Sequence, residues 1–153
     1  MATEIERKFL VKGDAWRQLA EGSLYRQGYI ASQGATVRVR IVKNQGYLTI
    51  KGPTVNYSRS EFEYPIPLAD AQEMLDTLCV RPLIEKTRYK INVNNLLWEV
   101  DEFAGVNQGL ILAEVELTDE SQQIELPDWI GEEVSGNPKY YNSYLVKHPF
   151  SEW

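Results

Sequence analysis

Charged side chains recur two apart along this chain, with apolar residues on the other parity. Glu4, Glu6 and Lys8 stand opposite Ile5 and Phe9, and Arg38 and Arg40 flank Val39. Lys51 shares parity with Thr49, against Leu48 and Ile50. Arg59, Glu61 and Glu63 alternate with Phe62 and Tyr64, while Lys86, Arg88 and Lys90 alternate with Tyr89 and Ile91. Glu99 and Asp101 stand against Trp98 and Val100; Glu114 and Glu116 stand against Val115 and Leu117. Side chains alternate sides along a strand, so each set would share one face. Two arrangements follow. One is an antiparallel sheet with a solvated, ion-paired face. The other is a closed barrel with a charged interior. Enclosure would bring together acids at 4, 6, 61, 63, 99, 101, 114 and 116 with bases at 8, 38, 40, 51, 59, 86, 88 and 90. Burying that many carboxylates without partners is prohibitively costly. Lys and Arg can pair some of them. Clustered carboxylates without His or Cys otherwise call for a hard divalent cation, Mg²⁺ or Mn²⁺. Acids that hold metal, with bases left over, suit a polyanion such as a triphosphate, whose oxygens match the Arg fork.

Positioning these residues requires strands joined by short turns. Alternation predicts strands over Thr3–Val11, Leu24–Ala31, Thr36–Val42, Tyr47–Lys51, Arg59–Ile66, Ile84–Val93, Leu96–Phe103 and Ile111–Leu117. Lys43-Asn44-Gln45-Gly46 and Asn94-Asn95 are the hairpin turns. Helical spacing of Ala71, Met74, Leu75 and Leu78 predicts a helix over Leu68–Cys79. Shorter helices are expected after Gly13-Asp14, over Glu120–Glu125, and from an Asn137 cap with Pro138 at the first position to about Val146. Seven or eight strands joined this way favour an antiparallel sheet and an α+β fold.

The chain has 153 residues, a length for one domain with a real core. No apolar run approaches the roughly 20 residues of a membrane helix. The segment MATEIERKFL lacks the basic and apolar regions of a secretory signal. Cys79 is the single cysteine, which excludes an internal disulfide and a multi-cysteine zinc site. His148 is the single histidine, which excludes a His-rich metal site. A cytoplasmic location is expected. The net charge of −6 makes general nucleic-acid binding unfavourable, because phosphate contacts supply most of that affinity.

Glu4-Ile5-Glu6-Arg7-Lys8 resembles the ExExK signature of the CYTH-domain proteins, also called triphosphate tunnel metalloenzymes. Further matches follow in family order: Gln27-Gly28-Tyr29, Val37-Arg38-Val39-Arg40, Thr49-Ile50-Lys51, Glu61-Phe62-Glu63, Glu85-Lys86-Thr87-Arg88-Tyr89, Asp101-Glu102-Phe103-Ala104-Gly105 and Ala113-Glu114-Val115-Glu116-Leu117. Gly131-Glu132-Glu133-Val134 and Pro138-Lys139-Tyr140-Tyr141-Asn142 are similar to the family's ending. The resemblance spans nearly the whole chain, as one domain over 1–153. It implies a closed eight-stranded antiparallel barrel, a tunnel with flanking helices. It also implies metal-dependent hydrolysis of a small-molecule triphosphate, with inorganic triphosphate as the leading substrate.

By the same resemblance, Glu4, Glu6 and Glu116 would bind a Mg²⁺ or Mn²⁺ ion, with Glu114 close by. Glu61, Glu63 and Asp101 would support a second ion or position the water. Lys8, Arg38, Arg40, Lys51, Arg59, Arg88 and Lys139 would clamp the phosphates. Lys139 stands where many relatives carry Arg. Lys86 and Tyr29 are the candidates for catalytic roles, with phosphate binding by Lys86 and plain packing by Tyr29 as alternatives. Neither a nucleic-acid nor a membrane partner is expected, and a monomer and a homodimer both remain open. A class IV adenylyl cyclase and a non-catalytic polyphosphate- or nucleotide-binding module are the competing functions. The tail Pro149–Trp153 reads as a loose terminus, and Trp129 as a loop residue packed on the barrel.

Overall fold

The computed structural model describes residues 3–153. Its strands are β1 (Thr3–Val11), β2 (Gly22–Ala31), β3 (Thr36–Val42), β4 (Gln45–Lys51) and β5 (Ser58–Ile66), then β6 (Ile84–Val93), β7 (Leu96–Phe103), β8 (Ile111–Glu116) and β9 (Ile130–Glu133). Helix α1 (Leu68–Thr77) follows β5, and the one-turn helix α2 (Asn142–Leu145) follows β9. The sheet runs β5-β4-β3-β2-β6-β7-β8-β1, and a further β5–β1 pairing closes it into an eight-stranded barrel. All of these pairings are antiparallel.

Register decides which face is enclosed. Residues directly opposite in an antiparallel pair share a face. Glu6 lies opposite Glu116, Lys8 opposite Glu114, Glu99 opposite Glu114, and Arg88 opposite Asp101. Lys51 lies opposite Glu61, Thr49 opposite Glu63, and Glu4 opposite Arg59. The charged sets therefore all fall on the inner face, and the solvated-sheet arrangement is overturned.

Because the inner face is polar, the hydrophobic core lies outside the barrel. Phe9, Trp98, Val100 and Val115 face outward and are covered by Trp16 and Trp129. Trp98 packs tilted against Phe9 and edge-on to Trp129, at 5.6 and 5.9 Å between ring centroids. A second outer layer is α1, whose Ala71 and Leu75 pack on Val39. Helix and sheet are so close there that a Cβ on Gly46 would meet Ala71 Cβ at 2.6 Å. One end of the interior is apolar instead: Tyr29, Ile84, Phe103 and Leu112 cluster with Leu145 and Val146 from the α2 segment.

Several local expectations are corrected. The β3–β4 turn is only Lys43-Asn44, both at positive φ, so β4 begins at Gln45 and not at Tyr47. The helix after Gly13-Asp14 is one 3-10 turn, Ala15–Gln18. Residues 120–125 form no helix; instead Thr118 N donates to Gln122 Oε1 and Asp119 Oδ1 accepts from Ser121 N in a turn. The final helix is broken: Asn137 caps a 3-10 turn at Pro138–Tyr140, Tyr141 is extended, and α2 starts only at Asn142. β9 is an unforeseen strand beside β1, clasped by Arg7, whose Nε and Nη2 donate to both Glu133 oxygens at 2.8 and 2.7 Å. The C-terminal tail is docked. Phe150 N donates to Asn107 Oδ1, and Trp153 stacks edge-on against Tyr140 and Phe150.

Candidate active site

The interior is one passage in two parts. A wide chamber of about 600 Å³ is lined by carboxylates of β1, β5 and β8 and by cations of β3, β4 and β6. A narrow neck of about 80 Å³ adjoins it, lined by Lys8, Tyr29, Arg59 and Asn142 among others. Glu6, Arg38, Lys51 and Glu114 line both, so they mark the junction.

The acids at the junction are crowded. Burial, with Glu114 and Glu4 nearby, pushes the Glu6 carboxyl well above its ordinary value. Burial also opposes ionisation of Glu114, but Lys8, Arg88 and a hydrogen bond from Glu6 hold it well below its ordinary value. The two carboxyls are thus driven apart, one up and one down. Glu4 resists burial because Lys51 Nζ donates to both of its oxygens, at 2.9 and 3.2 Å, and its pKa is lowered. Glu61 is pushed up to about 7 by burial and by its hydrogen bond with Glu4. Glu116 is raised by burial and by Glu4 and Glu99. Glu63 accepts from Thr49 Oγ1 at 2.8 Å and from Arg38 Nη2 at 3.4 Å.

The cations are held by the barrel wall. Lys8 Nζ lies 3.6 Å from Glu114 and donates to the Tyr140 carbonyl. Arg59 Nε donates to the Gly52 carbonyl. Arg40 Nε donates to Gln27 Oε1, and burial beside Arg38 and Arg88 pulls its pKa down to about 9. Arg38 Nε is buried without a partner among the described residues, an unmet donor in a side chain that lines both parts of the passage.

Two expected site residues lie on the inner face but outside the lining of chamber and neck. Asp101 is 1 % exposed, and Arg88 forks onto both of its oxygens at 2.7 and 2.9 Å. Lys86 Nζ adds a third contact at 2.7 Å. Burial works to raise Asp101, but Arg88 and Lys86 outweigh it and hold it at about 2. Its oxygens are committed to cations. Lys86 is equally buried and contacts Asn142 Oδ1 at 2.7 Å; burial, with Arg88 and Arg40 near, lowers it to about 7. Lys139 is the site residue the structure does not bring in. It is exposed, with Nζ 4.1 Å above the Trp153 ring. The charge pattern also missed Gln27 and Asn142. Both are neutral, so charge could not flag them; each falls within a segment that resembles the family, and Gln27 also shares its inward parity with Tyr25 and Tyr29.

The closed barrel thus encloses crowded carboxylates that face a set of cations. The chain matches the CYTH domain over residues 2–143 and belongs to that family. It is 53 % identical to the inorganic triphosphatase of Acetivibrio thermocellus, across all of this chain and 99 % of that protein. It is 36 % identical to the inorganic triphosphatase of Nitrosomonas europaea, over 94 % and 97 % of the two chains. It also resembles the crystal structure of the inorganic triphosphatase NE1496, with a TM-score of 0.69 at 32 % identity over 95 % of each chain.

Membership implies a divalent metal. The donors present fit one. They are hard oxygens, and the crowding of Glu6 and Glu114 at the junction sets like charges side by side that a cation would relieve. Among the described residues no three carboxylates stand as a finished ligand cluster, since Lys51 and Lys8 hold Glu4 and Glu114 instead. Among the described residues, no helix is long and apolar enough to cross a membrane.

Proposed function

We propose that this protein hydrolyses inorganic triphosphate with Mg²⁺ or Mn²⁺, the whole chain acting as one CYTH unit in a reduced, cytoplasmic compartment. The junction carries the reading: Glu6 and Glu114 face Arg38 and Lys51 where chamber and neck meet. Glu4, Glu6, Glu114 and Glu116 would hold the metal, with Glu61 at the margin. When bound, the metal would act as a Lewis acid on phosphate oxygens.

The chain's own residues do the rest. Water attacks a terminal phosphorus in line, a P–O bond to water forms, and the anhydride P–O bond breaks to give orthophosphate and pyrophosphate. Arg38, Arg40, Lys51 and Arg88 neutralise charge that builds on the phosphate oxygens. Arg59 and Lys8 fix the part of the substrate in the neck. Enclosure removes competing water, which strengthens each of these contacts. Lys86 acts as a buried positive charge on the inner face, because it lines neither part of the passage and is spent on Asp101 and Asn142.

Phosphate release from inorganic triphosphate, ATP and thiamine triphosphate, with Mg²⁺, Mn²⁺ or EDTA, tests the reading. Fast metal-dependent release from triphosphate and slow release from ATP is the expected result. No release from triphosphate with metal present would overturn it.

A further inference from the structure

Behind Tyr29 runs a buried polar chain whose hydrogen-bond directions are set by its two ends. Arg40 Nε donates to Gln27 Oε1 at 2.8 Å. A guanidinium only donates, so the amide oxygen of Gln27 must face Arg40 and Nε2 must face away. Nε2 donates to the Tyr29 hydroxyl oxygen at 3.1 Å and to Asn142 Oδ1 at 3.3 Å. Asn142 is oriented from the other end, because the Lys86 ammonium, also a pure donor, donates to the same Oδ1 at 2.7 Å. Gln27 is wholly buried.

Two donors are left over. The Tyr29 oxygen already receives a hydrogen bond, and its own proton has no acceptor among the described residues. Asn142 Nδ2 has no partner there either. Both residues line the neck, beside Lys8 and Arg38.

We propose that Gln27 and Asn142 set the hydrogen-bond polarity of the neck: Gln27 is a positioning residue that leaves the Tyr29 O–H proton turned to the passage, and Asn142 offers Nδ2 as a neutral donor to a phosphate oxygen of the substrate. The proposal rests on the triphosphate reading above. Neutral donors suit this place. A further cation beside Lys8, Arg38 and Arg40 would add repulsion, whereas an amide and a phenol hold oxygens without it.

Gln27→Glu tests the positioning role at constant shape. A carboxylate keeps the bond from Arg40, but it takes the Tyr29 proton for itself and repels Asn142 Oδ1. Expected is a fall in kcat of about 30-fold, on the scale of losing a charge-stabilising donor. Tyr29→Phe added to Gln27→Glu then costs nothing further. Independent, multiplying losses with wild-type Tm would overturn the proposal. Should Gln27→Glu fail to fold, Gln27→Met carries the same double-mutant cycle, because it also unfixes the phenol. Asn142→Asp replaces the free donor with an acceptor and should raise KM for triphosphate about tenfold, the worth of one such hydrogen bond; an unchanged KM overturns the Asn142 half. A wild-type protein that does not turn over triphosphate defeats the functional reading instead, so the two failures are separable.

Discussion

Glu4 is one of the acids whose charge the barrel favours, and in its case Lys51 opposes the cost of burial. Glu4→Gln keeps the volume but removes a charge that a metal needs. Turnover at limiting Mg²⁺ should fall more than 100-fold, the range for losing a charge-stabilising group at a reacting centre. Wild-type rate across a Mg²⁺ titration would remove Glu4 from the metal set. Lys86 makes the opposite kind of claim. If it only supplies charge from its buried place on the inner face, Lys86→Met lowers kcat but leaves the limbs of the pH–rate profile where they were. Loss of a limb near 7 would make it a proton donor or acceptor instead. At this scale the charged site was readable in part, because strand parity groups Glu6 with Lys8, Arg38 with Arg40 and Glu114 with Glu116, and the family resemblance then brings the groups to one enclosed face. Asp101 shows the limit. Parity placed it inside, yet its oxygens are spent on Arg88 and Lys86, and partner choice is a matter of three dimensions.

β9 is held to β1 by an ion pair with two parallel hydrogen bonds. The hydrogen bond from Arg7, helped by Ser135, lowers the Glu133 pKa below its ordinary 4.5. A depressed carboxylate stabilises the fold fully above its unfolded value, and that stability is lost as pH falls through the lower folded value. Solvent screening keeps the pair to about 1 kcal/mol. Glu133→Gln should therefore lose about that much at neutral pH, and its Tm should match wild type more closely as the pH drops below 4.5. Equal Tm at neutral pH would show that the clasp contributes nothing. Elements were legible where one signal dominated. The β6–β7 hairpin has the expected bounds because alternation is long and Asn94-Asn95 adopts the positive φ that its turn needs. β9 was hidden because Ile130–Glu133 is too short to alternate, and only its pairing with β1 makes it a strand. The broken C-terminal helix was hidden because Asn137 and Pro138 signal a start but say nothing about length.

For the molecule as a whole, burial and function occupy opposite sides of one sheet. The inner face gives little hydrophobic stabilisation, so the outer clusters must supply most of it. Trp98→Ala should cost about 3–5 kcal/mol, and roughly 10 °C in Tm, while leaving the inner charges in place. Thermal unfolding measures this, and a variant with wild-type Tm would mean that the outer core is not what holds the barrel closed. The closed barrel follows from alternation only once the chain is known to return on itself. The β5–β1 pairing that closes it is a contact between distant segments, for which no local signal exists.

That closure has a consequence for synthesis on the ribosome. β1 emerges first, yet its partners are β5, β8 and β9, and Arg7 meets Glu133 only 126 residues later. Until then the opening strand waits in the nascent chain, its apolar side uncovered, while every intervening hairpin can already form. Pairing with β8 and β9 comes last, so β1 is the segment most exposed to mispairing with neighbouring chains and the most natural target for a chaperone.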